Sequence, residues 1–437
     1  MPNPVRIPDD TRSIHNIGEF IMSQQTYQNT YLNALVNRIG RVIVTSRTWR
    51  NPWAVFKKGK LEYGEQVEEI FVNIAKPMSF DPSVAESEVF KREIPDVRAA
   101  FHTMNYQKFY KVTVSNDQLR QAFLSYAEMT SLIAYIVDSL YNSMSLDEYL
   151  VMKYMVAREL VNGGVYTVVT PAIDGDSADP EGAVEQYRAY TNNLTFYKST
   201  YNRAHVRTSS PVERQVIIVP TVAESIIGVR VLAAAFNISE VEYLGRRVLV
   251  DGFDFDTDDT ARLAEIFAND ATYTPLTGEQ ITALQAVSAF KCDIDWMMCF
   301  DNFEQFTENY NGQGLYWQYF YHTWKTFSSS PFHNAVAFTS QASSVSTVTV
   351  SPATSNVVVG TSVQMTAAVK GTGLFPKTVV WSIAGTTPVK SGTNIDPSSG
   401  VLHVASDELV GNVITVTATA DGGKTGTAKI TVTAAGD

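Results

Sequence analysis

Asn116-Asp-Gln-Leu-Arg-Gln-Ala-Phe-Leu-Ser-Tyr-Ala-Glu-Met-Thr-Ser-Leu-Ile-Ala-Tyr-Ile-Val-Asp-Ser-Leu-Tyr-Asn142 carries apolar side chains at Leu119, Phe123, Tyr126, Met129, Ile133, Ile136/Val137 and Leu140. Steps of three and four residues align them in one wide stripe, which predicts a long helix. Ser115 and Gln118 stand at capping-box spacing ahead of it. A second helix is expected from Leu146 to about Leu160, boxed by Ser145 and Glu148 and ended by Asn162-Gly163-Gly164.

Strand signals flank this helical stretch. Upstream, Val67 to Ala75 and Phe109 to Val114 read as strands, and Phe56-Lys-Lys-Gly-Lys60 and Tyr63-Gly64 as turns. Residues Asn51 to Ser115 form one long, polar, strand-rich excursion. A two-stranded ribbon has little stability alone, so a neighbouring subunit is its expected support. Downstream, residues 165–290 alternate strands and helices. A helix is expected over Thr221–Phe236, a strand over Arg247–Val250 and another helix over Gly278–Phe290. Asp174 to Gly182 reads as a mobile acidic surface loop. Leu315-Tyr-Trp-Gln-Tyr-Phe-Tyr-His-Thr-Trp-Lys-Thr-Phe327 reads as a strand buried on both faces, with a helix as the alternative. The class is α+β.

Composition changes sharply at Val345. Beyond it there is no Arg, no Tyr, one Phe (Phe375) and one Trp (Trp381), and Thr, Val, Ser, Ala and Gly dominate. Val345–Val350, Val413–Thr419 and Thr427–Thr433 alternate with period two. Turn signals fall between them at Pro352, Gly360, Gly371-Thr-Gly373, Pro397-Ser-Ser-Gly400 and Asp421-Gly-Gly423. Short strands around one central Trp predict a small antiparallel β-sandwich, joined through the linker Ser340–Ser344.

The 437 residues carry 34 Lys+Arg against 45 Asp+Glu, a net charge of −11. That balance argues against a sequence-independent DNA binder, whose affinity comes from cationic surface. Two cysteines exclude a disulfide framework. No run reaches about 18 apolar residues, and Met1–Asp10 lead into no signal-type apolar run, so cytoplasmic synthesis is expected.

No Gly-x-Ser-x-Gly, Walker loop or His-Glu-x-x-His is present, and Gly312-Gln-Gly314 lacks the third glycine of a dinucleotide fingerprint. The six histidines (His15, His102, His205, His322, His333, His403) have no ligand-spaced partners, and His322 reads as a packed core residue. Cys292 and Cys299 lack two further zinc ligands and read as buried thiols. Asp256, Asp258 and Thr260 match Asp-x-Asp-x-Thr, but Gly252 and preceding acids interrupt the strand that a phosphoaspartyl nucleophile requires. Asp254, Asp256, Asp258 and Glu265 fall at calcium-loop positions, with Asp259 where the turn glycine belongs. An acidic loop capping a helix near Ala261 accounts for the run as well. Lys57, Lys58 and Lys60, beside Phe56 and Tyr63, read as a solvated hairpin tip or a contact for phosphate or an acidic partner. No catalytic, cofactor-binding or metal residue is assigned. An aromatic, low-charge chain with a projecting ribbon and an appended sandwich reads best as an assembly protein.

Several stretches resemble the major capsid proteins of small short-tailed phages of Gram-positive bacteria. They are Val36-Asn-Arg-Ile-Gly40 with Phe56–Gly59 and Glu68–Ile70; Val89–Val97 through Phe101-His102 to Phe109-Tyr110; and Gly314–Trp317 with Tyr319–His322, Trp324 and Asn334–Phe338. The tail is similar to group 2 bacterial immunoglobulin-like domains, through Val348–Pro352, Trp381-Ser382 and Gly400.

The resemblance implies the Hong Kong 97-type capsid fold, with residues 1–344 as capsid domain and 345–437 as the immunoglobulin-like domain. Within the first, it implies an N-terminal arm over 1–50 and an extended loop over 51–115. The peripheral domain with its spine helix would take 116–164 and 291–344, and the axial domain 165–290. It further implies self-assembly as pentamers and hexamers into an icosahedral or prolate shell around double-stranded DNA. The implied partners are a scaffolding protein, a portal at one vertex and, loosely, the DNA, with no membrane and no cofactor. The location would be the virion, assembled in the host cytoplasm. The alternative is a virion-surface or cell-wall-binding protein whose sandwich recognises host glycans.

Overall fold

The computed structural model describes residues 49–61, 66–75, 77, 95–115, 126–176, 178–231 and 245–434. The expected arm up to residue 48, the Tyr63-Gly64 turn, the Ser115/Gln118 box, the end of the Thr221 helix and the Val36–Gly40 and Val89–Ile94 matches lie outside them.

Along the chain come β1 (Lys57–Lys60), β2 (Gln66–Val72), β3 (Val97–Thr103), β4 (Tyr106–Ser115) and α1 (Tyr126–Asn162). Next are β5 (Tyr166–Val169), α2 (Pro180–Asn193), β6 (Gln215–Pro220), α3 (Thr221–Ile226), β7 (Arg246–Val250), α4 (Thr257–Ile266) and α5 (Gly278–Gln285). Then follow β8 (Val287–Asp293), β9 (Met297–Asn311), β10 (Tyr316–Ser329) and β11 (Ala335–Thr339). The tail holds β12 (Ser344–Ser351), β13 (Thr354–Val358), β14 (Ser362–Gln364), β15 (Thr366–Thr372) and β16 (Val379–Gly385). It closes with β17 (Asn394–Ile395), β18 (Val401–His403), β19 (Val413–Ala420) and β20 (Thr425–Thr433).

The chain divides into two compact units. One comprises the described parts of Met1–Val67, Thr103–Met152 and Cys299–Phe327; the other comprises Glu68–His102, Lys153–Met298 and Ser328–Asp437.

In the first unit, four strands pair in the order β1-β9-β10-β4. β10 runs antiparallel to β4 from Tyr316↔Ser115 to Lys325↔Tyr106. Trp317, Tyr319 and Tyr321 point from β10 onto Val114 of β4 and Leu140 and Met144 of α1. The expectation of burial on both faces of β10 is corrected: Gln318, Phe320 and His322 are only half-buried, and both faces close only from Lys325 to Phe327. His322 is thus no core residue; it lies against Phe109 and Phe320 at the sheet's outer face. Phe56-Lys-Lys-Gly-Lys60 is likewise no free turn, because β1 adds to the sheet edge parallel to β9.

The two expected helices are one. α1 continues through Ser145, whose buried hydroxyl finds no partner among the described residues, while the Glu148 carboxylate turns to Lys57 and Lys325. Those ion pairs take the side chain that a capping box would have used. The predicted stop at Asn162-Gly163-Gly164 is observed. Gly163 adopts φ +69°, a conformation that costs side-chain-bearing residues, and Gly163 N and Gly164 N bond back to Leu160 O and Glu159 O.

In the second unit, five strands pair in the order β5-β11-β8-β6-β7. Every residue of β8 and β11 is buried. Ala183, Val184 and Tyr187 of α2 pack on Ile217, Val219, Val336 and Phe338 of this sheet. The expected helix over Gly278–Phe290 stops at Gln285, and its end, Val287–Phe290, is the first part of β8. Burial of Val287 and Phe290 inside a sheet outweighs the local helical spacing. The Asp174–Gly182 stretch ends in a helix start, with Asp179 accepting from Gly182 N at 3.0 Å. In the tail, β13-β20-β19-β16, β14-β18-β17 and β12-β15 enclose a core of Trp381, Val350, Met365, Leu402, Ile414, Val416 and Ile430. The alternation read in Val413–Thr419 is the alternating burial of β19.

Candidate assembly surface

β2 and β3 form a separate two-stranded ribbon, closed at one end where Asn73 N donates to Asp96 O at 2.9 Å. Successive side chains point to opposite faces. On the inner face, Phe71 stacks on Phe332 with centroids 5.5 Å apart. The Glu69 carboxylate faces His102 Nε2 at 3.1 Å and His333 Nε2 at 3.3 Å, and accepts from Ser330 Oγ at 2.8 Å. His102 Nδ1 meets Ser328 Oγ at 2.8 Å. Burial raises the Glu69 pKa, but the bonds from His102, His333 and Ser330 prevail and bring it down to about 2.

The outer face is different. Ile70, Val72, Ile74, Val97 and Phe101 all point outward, and each is more than half exposed, Phe101 at 60%. An apolar stripe on an isolated ribbon marks an interaction site. Covering one such side chain contributes roughly 1.5–3 kcal/mol. The surface follows from apolar residues at both parities of one short strand, Val67 and Phe71 inward, Ile70 and Val72 outward. That signal was present in the sequence, as was the ribbon's need for support; the Glu69–His102–His333 cluster was not, because its members have no regular spacing.

The other candidates are dispersed. Lys57 is no solvated tip: its Nζ lies 3.0 Å from Glu148 Oε2 and 2.9 Å from Asp301 Oδ2. Lys325 joins the same cluster through Glu148, Asp301 and Glu304. Burial opposes the charge of Lys325, but those carboxylates hold its pKa above the usual lysine value. Asp256 caps α4 by accepting from Asp259 N at 2.7 Å, and Thr260 Oγ1 donates to Asp256 O. Asp254 accepts from Gln285 at 3.0 Å, while Asp251 and Asp259 face the buried Lys153. Helix capping therefore absorbs the Asp-x-Asp-x-Thr pattern. Cys292 and Cys299 are buried and unbridged, and burial pushes the Cys299 thiol up to about 12. Among the described residues no group of three or more His, Cys, Asp or Glu is placed to hold a metal ion, and no helix is long and apolar enough to cross a membrane.

Residues 7–339 match the model of the Phi29-like phage major capsid protein family. The chain is 37% identical over 420 residues to the major capsid protein of Bacillus phage B103, covering 94% of this chain and 85% of the relative. It is 34% identical over 412 residues to that of Bacillus phage PZA, covering 94% and 84%. Among solved structures, a chain in the capsid structure of Staphylococcus phage Andhra superposes with a TM-score of 0.52 at 15% identity, covering 67% of this chain and 85% of that one. A chain from a structure of native bacteriophage P68 gives 0.52 at 16% identity with the same coverages.

Proposed function

Because the chain belongs to the Phi29-like family of phage major capsid proteins, we propose that the outer face of the β2–β3 ribbon is a seam along which neighbouring copies join in the shell. The chain is a structural protein of the virion shell. The observation that carries the seam is the stripe Ile70, Val72, Val97 and Phe101, apolar and exposed on one subunit. Repetition supplies the rest: a weak contact made in every subunit sums to a stable shell.

The finer reading is of a Hong Kong 97-type layout. The ribbon belongs to the extended loop within 51–115 and α1 contains the spine. Residues 165–290 form the axial domain, 116–164 and 291–344 the peripheral domain, and 345–437 a group 2 immunoglobulin-like domain. Pentamers and hexamers would close on a scaffolding protein in a Gram-positive host's cytoplasm, with a portal at one vertex and double-stranded DNA inside. The net charge of −11 supports a container that does not grip its DNA. No catalytic or metal role is part of this reading.

Ile70→Ser with Phe101→Ser tests the seam. Negative-stain microscopy should show shells from the wild-type chain and scaffold, and only unassembled, folded subunits from the variant. Shells of normal yield from the variant would refute the seam.

A further inference from the structure

The ribbon's end is held by an arginine that reaches into the C-terminal sandwich. Arg98 of β3, 18% exposed, donates from Nη1 to Ala204 O at 3.0 Å and to Ser398 Oγ. Its Nη2 lies 3.9 Å from Asp396 Oδ2, and Asp96 holds its other edge at 3.2 Å. Asp396 organises the turn it belongs to by accepting from Ser398 N, Ser398 Oγ and Ser399 N. The turn is fixed in turn to the sandwich core, where Trp381 N donates to Pro397 O at 3.0 Å.

The sandwich has a second anchor. Lys377 Nζ donates to Val161 O at 2.9 Å and Lys377 N to Gly163 O at 2.9 Å, so the ammonium satisfies one carbonyl in the last turn of α1 and the backbone N–H another just past its end. A Cβ on Gly163 would come within 2.6 Å of Lys377 and of Phe375 O, which shows how closely the two backbones approach.

We propose that the C-terminal sandwich is an intrachain brace, which spans from the end of α1 to Arg98 and sets the angle of the β2–β3 ribbon. A two-stranded ribbon lacks stability of its own, and a charge-assisted bond at its end limits its swing. The consequence for assembly rests on the seam reading above: a ribbon held in place meets its neighbour without first being ordered.

Hydrogen–deuterium exchange on the full, unassembled chain tests the brace. Arg98→Ala should raise exchange about tenfold across residues 67–73 and 97–102, with smaller rises at 396–400 and none in residues 144–160 of α1. Ser398→Ala, which removes only a hydroxyl, should raise ribbon exchange in the same places to a lesser degree, and serves alone if Arg98→Ala loses α1 protection. Unchanged ribbon exchange in the folded variants would overturn the brace, even if Ile70→Ser/Phe101→Ser blocks assembly and the seam stands. Faster ribbon exchange with normal shells from Ile70→Ser/Phe101→Ser would keep the brace and remove the seam.

Discussion

Glu148 Oε2 lies 2.8 Å from Lys325 Nζ, with the two side chains only 5% and 2% exposed. Lys57 and Asp301 close the cluster around them, and Asn51 Nδ2 donates to Glu148 Oε1 at 2.9 Å. A helix, a central strand and an edge strand are thereby joined by charge inside one unit. Removing one partner leaves a buried charge uncompensated. Lys325→Met should therefore lower stability by about 3–5 kcal/mol in urea unfolding, and Glu148→Gln added to it should restore part of the loss.

Acid should act on the same cluster and on the ribbon. Burial raises the pKa of Glu148 and Asp301, yet Lys325 and Lys57 hold both below their ordinary values. A carboxylate lowered by folding contributes stability that is complete above its unfolded pKa and is lost as pH falls through its folded pKa. For Glu69 that window runs from 4.5 down to about 2. Ribbon amides should stay protected to about pH 4.5 and lose protection below it. Glu69→Gln should weaken protection at neutral pH and flatten that decline, read by exchange against pH.

Lys291 works in the opposite direction. Its fully buried ammonium bonds Thr191 Oγ1 and Tyr187 O, and desolvation lowers its pKa from 10.5 to about 7. The unfolded chain binds the extra proton between those values, so stability rises with pH from about 7 to 10.5, and the cost is complete below 7. Lys291→Met should stabilise the fold below pH 7 by about 5 kcal/mol, a gain that raises the thermal midpoint and vanishes toward pH 10.5. A calorimetric series across that range checks the slope.

How much was legible depends on whether a feature is local. The α1 stop at Gly163, the period-two strands of the tail and the Asp256 cap each follow from a few neighbouring residues. The single α1 did not, because Ser145 and Glu148 carry a capping signal that only the distant Lys57 and Lys325 overrule. β8 was hidden for a similar reason: Val287–Phe290 read as the continuation of α5, and burial in the centre of a sheet decides otherwise. Of the assembly surface, the ribbon strands were readable, whereas the carboxylate that joins His102 to His333 was scattered beyond any motif.

Gly163→Ala should destabilise the chain by about 1–3 kcal/mol, from a left-handed φ of +69° and the clash with Lys377 and Phe375. Gly164→Ala, at a glycine without positive φ, tests whether the backbone conformation dominates. A larger loss at Gly163 in parallel thermal melts is the expected order.

The seam itself is tested most directly by placing a photo-crosslinker on it. With Phe101→p-benzoylphenylalanine in assembled shells, irradiation should join the probe to a peptide of another copy, giving covalent dimers and higher ladders on denaturing gels. Crosslinks confined within one chain, or none in intact shells, would contradict the account.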